Sequence, residues 1–87
     1  MTDFYSLVIK RSAEKELKKL PVGDLRRVVN RIRGLTQQPH PSGCETLSGE
    51  AKRYRIRQGD YRIVYGVDDS AHVVEIVKIG HRREVYR

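Results

Sequence analysis

The stretch of residues 53–67 constrains the fold more than any other part of the chain. Arginine alternates with apolar residues from Arg53 to Arg57, and a second β-prone run follows the dipeptide Gly59-Asp60. Alternation with a period of two places successive side chains on opposite faces of a strand. A Gly-Asp dipeptide between two such runs is suited to the two-residue turn of a hairpin. The sequence therefore predicts an antiparallel hairpin whose register is set by its turn.

This register divides the hairpin side chains into two groups. One face is apolar and suited to be covered by helices; it carries Tyr54, Ile56, Ile63 and Tyr65. The other face is basic; it carries Arg53, Arg55, Arg57 and Arg62. Alternating charge on a strand is ordinarily a solvated face, but like charges opposite each other across strands destabilise a sheet. Because guanidinium groups bind phosphate oxygens bidentately, a bound polyanion would explain the cluster.

The rest of the chain predicts two helices and two further strands. One strand precedes the helices, and the other follows the hairpin. Residues 5–9 and 73–79 are short apolar, β-prone runs. Between the first run and the hairpin lie two helical patterns, for which we expect Ser12 and Asp24 as N-caps. The second pattern has one apolar face of 3.6-residue period, formed by Leu25, Val28, Val29, Ile32 and Leu35. The prediction is an α+β fold in the order β-α-α-β-β-β, with a two-helix hairpin packed on an antiparallel sheet.

Length and charge narrow the possible functions. A chain of 87 residues can bury one core, so we expect residues 1–87 to form a single domain. The chain carries 18 Lys+Arg and 11 Asp+Glu, a formal net charge of +7. Such a surplus predicts an acidic partner, which could be nucleic acid, an anionic membrane face or an acidic protein. The arginines of the second helix, Arg26, Arg27, Arg31 and Arg33, are interpreted as a solubilising outer face.

The chain shows no sign of export, membrane insertion or metal binding. The N-terminus lacks the features of a signal peptide, and no apolar run approaches the about 20 residues that span a bilayer. A single cysteine, Cys44, allows no internal disulfide, and with three scattered histidines it matches no zinc spacing. We therefore expect a cytoplasmic protein with no membrane partner, no metal and no cofactor.

The hairpin and the C-terminal segment together resemble a known family. The motifs are Leu47-x-Gly49, Tyr-Arg-Ile-Arg at 54–57, Gly-Asp-Tyr-Arg-Ile-Val-Tyr at 59–65, and Ile-Gly-His-Arg-Arg-Glu-Val-Tyr at 79–86. In order, spacing and length they resemble the RelE toxins of the RelE/ParE superfamily over nearly the whole chain. The resemblance implies a toxin of a type II toxin-antitoxin pair, an endoribonuclease that cleaves mRNA in the ribosomal A site without a metal. It also implies a RelB-like antitoxin encoded beside it, and operator DNA as a partner of the toxin-antitoxin complex.

The resemblance also implies roles for individual residues. By position, Arg62, Arg82 and Tyr86 match catalytic residues of the family, while Arg55 and Arg57 stand where RelE toxins often have two lysines. Tyr86 would be the base for the 2′-hydroxyl, because neighbouring arginines favour the phenolate and lower the pKa of a tyrosine. Arg57 and Arg62 would hold the scissile phosphate.

The remaining roles are the outer phosphate contacts and the acid. Arg53 and Arg55 extend the phosphate-binding set along the strand. Arginine keeps its proton at physiological pH, so the hairpin offers no evident acid for the leaving 5′-oxygen. His81 is the predicted substitute, because an imidazole titrates near neutral pH.

Two other functions stay open at this point. Members of the superfamily that poison DNA gyrase share the fold, so a ParE-like gyrase inhibitor is the first alternative. The second is a nucleic-acid-binding module without catalysis. The full set of basic residues together with Tyr86 favours the nuclease.

Overall fold

The computed structural model describes residues 4–47 and 52–81. Its elements in chain order are β1 (Ser6–Ile9), α1 (Arg11–Lys18), α2 (Val22–Gln37), β2 (Glu45–Leu47), β3 (Arg53–Gln58), β4 (Tyr61–Asp68) and β5 (Val73–His81). The five strands form one sheet in the order β1-β5-β4-β3-β2. The buried residues of both helices pack in one cluster with the buried residues of β3, β4 and β5. The predicted α+β class, with two helices on a sheet, is confirmed.

The sheet differs from the prediction in two respects. It is mixed, because β1 pairs parallel with β5 while every other neighbouring pair is antiparallel. A parallel pair requires a long connection, and here the two helices and the β2–β4 strands lie between its members. The second difference is β2, a strand of only three residues that pairs with β3. Three residues are too few to show an alternating pattern.

The predicted register of the β3–β4 hairpin is confirmed. Gln58 pairs with Tyr61, and Arg57 pairs with Arg62, with the remaining pairs following in step to Tyr54 and Tyr65. Gly59 has a φ of 60°, a left-handed conformation that glycine adopts without the steric cost of a Cβ atom.

The core lies between the helices and the face of the sheet that was predicted to be apolar. Ile56, Ile63 and Tyr65 are at most 1% exposed. Both helices contribute apolar side chains to it; the fully or nearly buried ones are Ala13, Leu17, Val28, Ile32 and Leu35. Each large side chain buried in this way contributes about 1.5–3 kcal/mol to folding. The predicted apolar face of the second helix is therefore confirmed.

Both predicted N-caps are wrong. The first helix begins at Arg11 after Lys10, so Ser12 lies inside its first turn. The second begins at Val22 after Pro21, which places Asp24 in its first turn. Proline lacks an N–H and has a fixed φ, both of which suit a helix start. A carboxylate within the first turn interacts favourably with the helix dipole, so Asp24 still stabilises this end.

No helix within residues 4–47 and 52–81 has both the length and the apolar character needed to cross a membrane.

Candidate functional site

The face of the sheet turned away from the helices carries the hairpin arginines. Its defining residues are Arg53, Arg55, Arg57 and Arg62, and we call this surface the arginine face. On the helix side, Tyr54 is half-buried and the other three residues are buried. On the arginine face, Arg57 is exposed and Arg53 is half-buried. The predicted separation of the hairpin into an apolar and a basic face is thus present in the structure.

Arg62 is the charged residue that the fold buries. Among the described residues it alone is both charged and buried, with 6% of its surface exposed. Its Nη1 donates a hydrogen bond of 3.4 Å to the carbonyl oxygen of Tyr61. Its register partners are Arg57 on β3 and Gly80 on β5. Two guanidinium groups opposite each other on one face offer several donors to a bound anion, an arrangement suited to a phosphate-binding site.

Arg55 is held by a carboxylate that the sequence did not lead us to expect. Its Nη2 donates a hydrogen bond of 3.0 Å to Oε2 of Glu45, its register partner on β2. The Arg55 side chain is 14% exposed and that of Glu45 is 63% exposed. Because β2 was not predicted, Glu45 could not be placed beside the arginines. The arginine face therefore includes one acidic side chain that orients Arg55.

Arg53 lies over a glycine. Its register partner is Gly66, and its Nη1 is 2.5 Å from the point that a Cβ atom on residue 66 would occupy. The guanidinium group therefore uses space that any other residue at position 66 would fill.

His81 does not lie on the arginine face. It pairs in register with Tyr61, and the two rings make an edge contact with centroids 5.8 Å apart. Tyr61 packs against the core and donates a hydrogen bond of 3.3 Å to Asp24 of α2. Register partners share a face, so His81 lies on the helix side of the sheet, and Arg62 lies on the other side. The acid role of His81 stays a prediction that this placement does not favour.

Two further predicted site residues, Arg82 and Tyr86, lie outside the described residues, as does Gly49 of the first motif. Their roles stay predictions. The structure brings Arg57 and Arg62 directly together, with Arg55 and Arg53 following along the same face of β3.

The pKa values of Tyr5 and Tyr65 are both raised, which makes these hydroxyl groups less suited to act as a base. Tyr65 is completely buried, and its hydroxyl donates a hydrogen bond of 2.7 Å to the carbonyl of Pro39. Burial raises the pKa of Tyr65. The hydrogen bond from Tyr5 to Asp69 likewise raises the pKa of Tyr5. Tyr65 thus belongs to the core, as predicted, and neither phenol is suited to accept a proton near neutral pH.

A two-helix layer over one face of a small mixed sheet, with arginines gathered on the other face, is the architecture of a known class of bacterial and archaeal toxins. Residues 7–86 match the family described as the ParE toxin of the type II toxin-antitoxin system parDE. Toxin RelE of Mycobacterium tuberculosis is 34% identical over 84 residues, which cover 95% of this chain and 87% of that protein. The chain therefore belongs to the RelE/ParE superfamily and is a toxin of a type II toxin-antitoxin system.

Solved structures agree with this assignment. The chain is similar to the toxin-antitoxin complex RelBE2 of Mycobacterium tuberculosis, with a TM-score of 0.81 and 31% identity over 94% of this chain and 95% of that chain. It is also similar to the RelE–RelB complex of Pyrococcus horikoshii, with a TM-score of 0.78 and 31% identity over 94% of this chain and 97% of that chain. The same fold is thus found in chains solved together with antitoxins.

Proposed function

We propose that this toxin is a ribosome-dependent mRNA endonuclease that inhibits translation by cleaving a phosphodiester bond without a metal. The observation that carries the proposal is the buried Arg62 opposite Arg57 on the open face of the hairpin. Two guanidinium groups opposite each other on one face of the sheet offer several N–H donors to the oxygens of a phosphate.

The arginine pair supplies charge stabilisation for the reaction. When a 2′-hydroxyl attacks the adjacent phosphate, negative charge grows on the non-bridging oxygens of the phosphate. Donors from Arg57 and Arg62 would meet that charge, and the low exposure of Arg62 strengthens the interaction because less water competes. The bond from phosphorus to the 5′-oxygen breaks, which leaves a 2′,3′-cyclic phosphate and a 5′-hydroxyl. Removal of one such donor typically costs about 10²–10³ in rate.

The proton transfers are assigned on the sequence and the family resemblance. Tyr86 would take the proton from the 2′-hydroxyl, and Arg82 would stabilise the phenolate. Arg55 and Arg53 would hold neighbouring phosphates of the RNA. His81 is the acid that the sequence predicts for the leaving 5′-oxygen, but its imidazole lies on the helix side of the sheet, so we do not propose it as a group that contacts the phosphate.

The proposed partners follow from charge and from the solved relatives. The net charge of +7 favours an acidic antitoxin as well as ribosomal and messenger RNA. Relatives of this chain have been solved in complex with RelB-type antitoxins, so we propose a RelB-like antitoxin encoded beside the toxin. Operator DNA is a proposed partner of that complex, and the cytoplasm, where translation occurs, is the proposed location.

The test is cleavage of mRNA on purified ribosomes during translation. We expect Arg62→Ala to reduce cleavage by about 10²-fold or more, and Tyr86→Phe to reduce it strongly as well. Arg26→Ala is the matched control, because Arg26 is exposed on α2 and should leave cleavage unchanged. Full cleavage by both Arg62→Ala and Tyr86→Phe would refute the assigned site.

The same experiment separates the alternatives. Double-strand DNA breaks with intact mRNA after induction would instead identify a gyrase inhibitor. Steeply salt-dependent RNA binding without cleavage on ribosomes would identify a binding module.

A further inference from the structure

The arginine face continues into a groove at the end of the sheet away from the hairpin turn. The groove has a volume of about 600 Å³, within the range of small-ligand sites. Its floor is a row of register neighbours across four strands, and the row consists of Arg53, Gly66, Glu75 and Val8. The groove and the arginine pair thus lie on one continuous surface.

Opposite charges stand on the two sides of the glycine in this floor. Arg53 and Glu75 are both register partners of Gly66, so their Cα atoms are two strand spacings, or about 10 Å, apart. In the part of the chain that the structure describes, neither takes part in an ion pair. Because Gly66 has no side chain, the guanidinium group of Arg53 lies over its backbone, and Arg53, Gly66 and Glu75 line the groove together.

Glu75 is the carboxylate of the groove that accepts no hydrogen bond from another described residue. Among the described residues, three carboxylates line the groove. Asp68 accepts a hydrogen bond of 2.9 Å from the N–H of Ala71, and Asp69 accepts one of 2.6 Å from the hydroxyl of Tyr5. Glu75 has no such donor among the described residues and is half-buried.

A guanidinium group and a carboxylate that line one groove complement one nucleotide. The phosphate of a nucleotide binds a guanidinium group, and the amino groups of adenine, guanine and cytosine donate to a carboxylate. Uracil lacks an exocyclic amino group, and its only ring N–H lies between two carbonyl oxygens that a carboxylate repels. Glu75 should therefore distinguish cytosine from uracil, two bases of nearly equal size.

The spacing of the arginines connects the groove to the cleavage site. Arg57, Arg55 and Arg53 follow each other on one face of β3 at about 6.6 Å intervals. An extended RNA strand with its scissile phosphate at Arg57 and Arg62 can follow this row into the groove. We propose that the groove holds a nucleotide flanking the cleavage site, with its phosphate on Arg53 and its base on Glu75, and that uridine is disfavoured there; this rests on the proposed nuclease function.

The first test uses the free protein without ribosomes. Cytidine monophosphate, uridine monophosphate and inorganic phosphate are titrated against the protein while the amide NMR signals of Gly66, Ser70 and Glu75 are followed. We expect cytidine monophosphate to bind about fivefold more tightly than uridine monophosphate. Glu75→Gln should abolish this difference, because a glutamine amide can also donate to a uracil carbonyl. Glu14→Gln, at an exposed site on α1, is the matched control and should preserve the difference.

Several results would overturn the proposal. These are equal affinity for the two nucleotides, a difference that survives Glu75→Gln, and inorganic phosphate shifting the same signals with equal affinity. The last would identify an anion site that reads no base.

The second test separates the groove from the nuclease. Cleavage is measured on ribosomes with messages that differ only in cytosine or uracil near the cleaved bond. We expect wild type to favour cytosine at one position and Glu75→Gln to lose that preference while still cleaving. Cleavage with no preference at any position, or with a preference that Glu75→Gln leaves unchanged, refutes the groove alone. Absence of cleavage together with the predicted difference in nucleotide binding refutes the nuclease and leaves the groove as a nucleotide site.

Discussion

The substitution Gly66→Ala tests whether the groove depends on the absence of a side chain at residue 66. In Gly66→Ala the new Cβ atom would lie 2.5 Å from Nη1 of Arg53 and 3.3 Å from the carbonyl oxygen of Lys52. The first distance is about 1 Å shorter than an ordinary contact, so the guanidinium group must move. It stands at the end of a flexible side chain and can rotate away. The second distance requires the backbone to shift by only a few tenths of an ångström.

The crowding at Arg53 and the crowding at Lys52 should affect ligand binding and stability differently. Replacing glycine in a strand interior gains about 0.5–1 kcal/mol of backbone entropy, which offsets the crowding at Lys52. We therefore expect the free energy of unfolding, measured by urea denaturation, to change by less than about 1 kcal/mol. Affinity for cytidine monophosphate should fall about tenfold, because a charge-assisted hydrogen bond to phosphate is lost.

Gly34→Ala provides the control, since a Cβ atom at Gly34 meets nothing within 4 Å. This variant should be stabilised by about 0.5–1 kcal/mol and bind nucleotide as wild type does. Unchanged nucleotide affinity in a folded Gly66→Ala protein would refute the role of Arg53. If Gly66→Ala lowered the free energy of unfolding by more than about 3 kcal/mol, the conclusion that the Arg53 guanidinium group can rotate away would be refuted.

Three further substitutions test the core, the arginine face and the acid. Tyr65→Phe removes a buried hydrogen bond and should cost about 1–2 kcal/mol in urea denaturation at pH 7. Burial raises the pKa of the Tyr65 hydroxyl above 10.0, so the unfolded chain loses this proton at a lower pH than the folded protein does. The free energy of unfolding of the wild type should therefore fall as pH rises past 10.0, and Tyr65→Phe should lack this contribution to the pH dependence. Glu45→Gln should change stability by less than about 1 kcal/mol but strengthen single-stranded RNA binding and steepen its salt dependence, because Arg55 is released to bind phosphate; unchanged salt dependence would contradict this. His81→Ala should reduce cleavage on ribosomes far less than Arg62→Ala, because the imidazole lies on the helix side; an equal loss would support His81 as the acid.

The hairpin could be predicted from the sequence because all of its determinants are local. A period of two over residues 53–57 and a Gly-Asp turn are enough to define each pair from Gln58–Tyr61 onward. The same holds for the apolar face of α2. The predicted N-caps were wrong because Lys10 and Pro21 occupy these positions without a capping side chain, and because aspartate is favoured in the first turn as well as at the N-cap.

The unpredicted features depend on contacts between distant segments. The parallel pairing of β1 with β5 joins strands at opposite ends of the described chain. The side on which His81 lies depends on how β5 pairs with β4, and that pairing contains a register shift between Val64 and Tyr65 that no local pattern marks. One such shift reverses the face of every residue beyond it. For the same reason Glu45 and Glu75 could not be assigned to particular arginines in advance.

These acidic residues give the arginine face a gradient of charge along β3. At the hairpin end the register row holds Arg57 and Arg62 with Gly80 and no carboxylate. In the next row Glu45 pairs with Arg55, and in the row beyond Glu75 faces Arg53 across Gly66. A purely cationic row binds any phosphate equally, whereas a row that also offers a hydrogen-bond acceptor can distinguish bases. The chemistry and the reading of sequence would then occupy different rows of one surface, so substitutions at Glu75 should alter which message is cut and substitutions at Arg62 should alter whether any is.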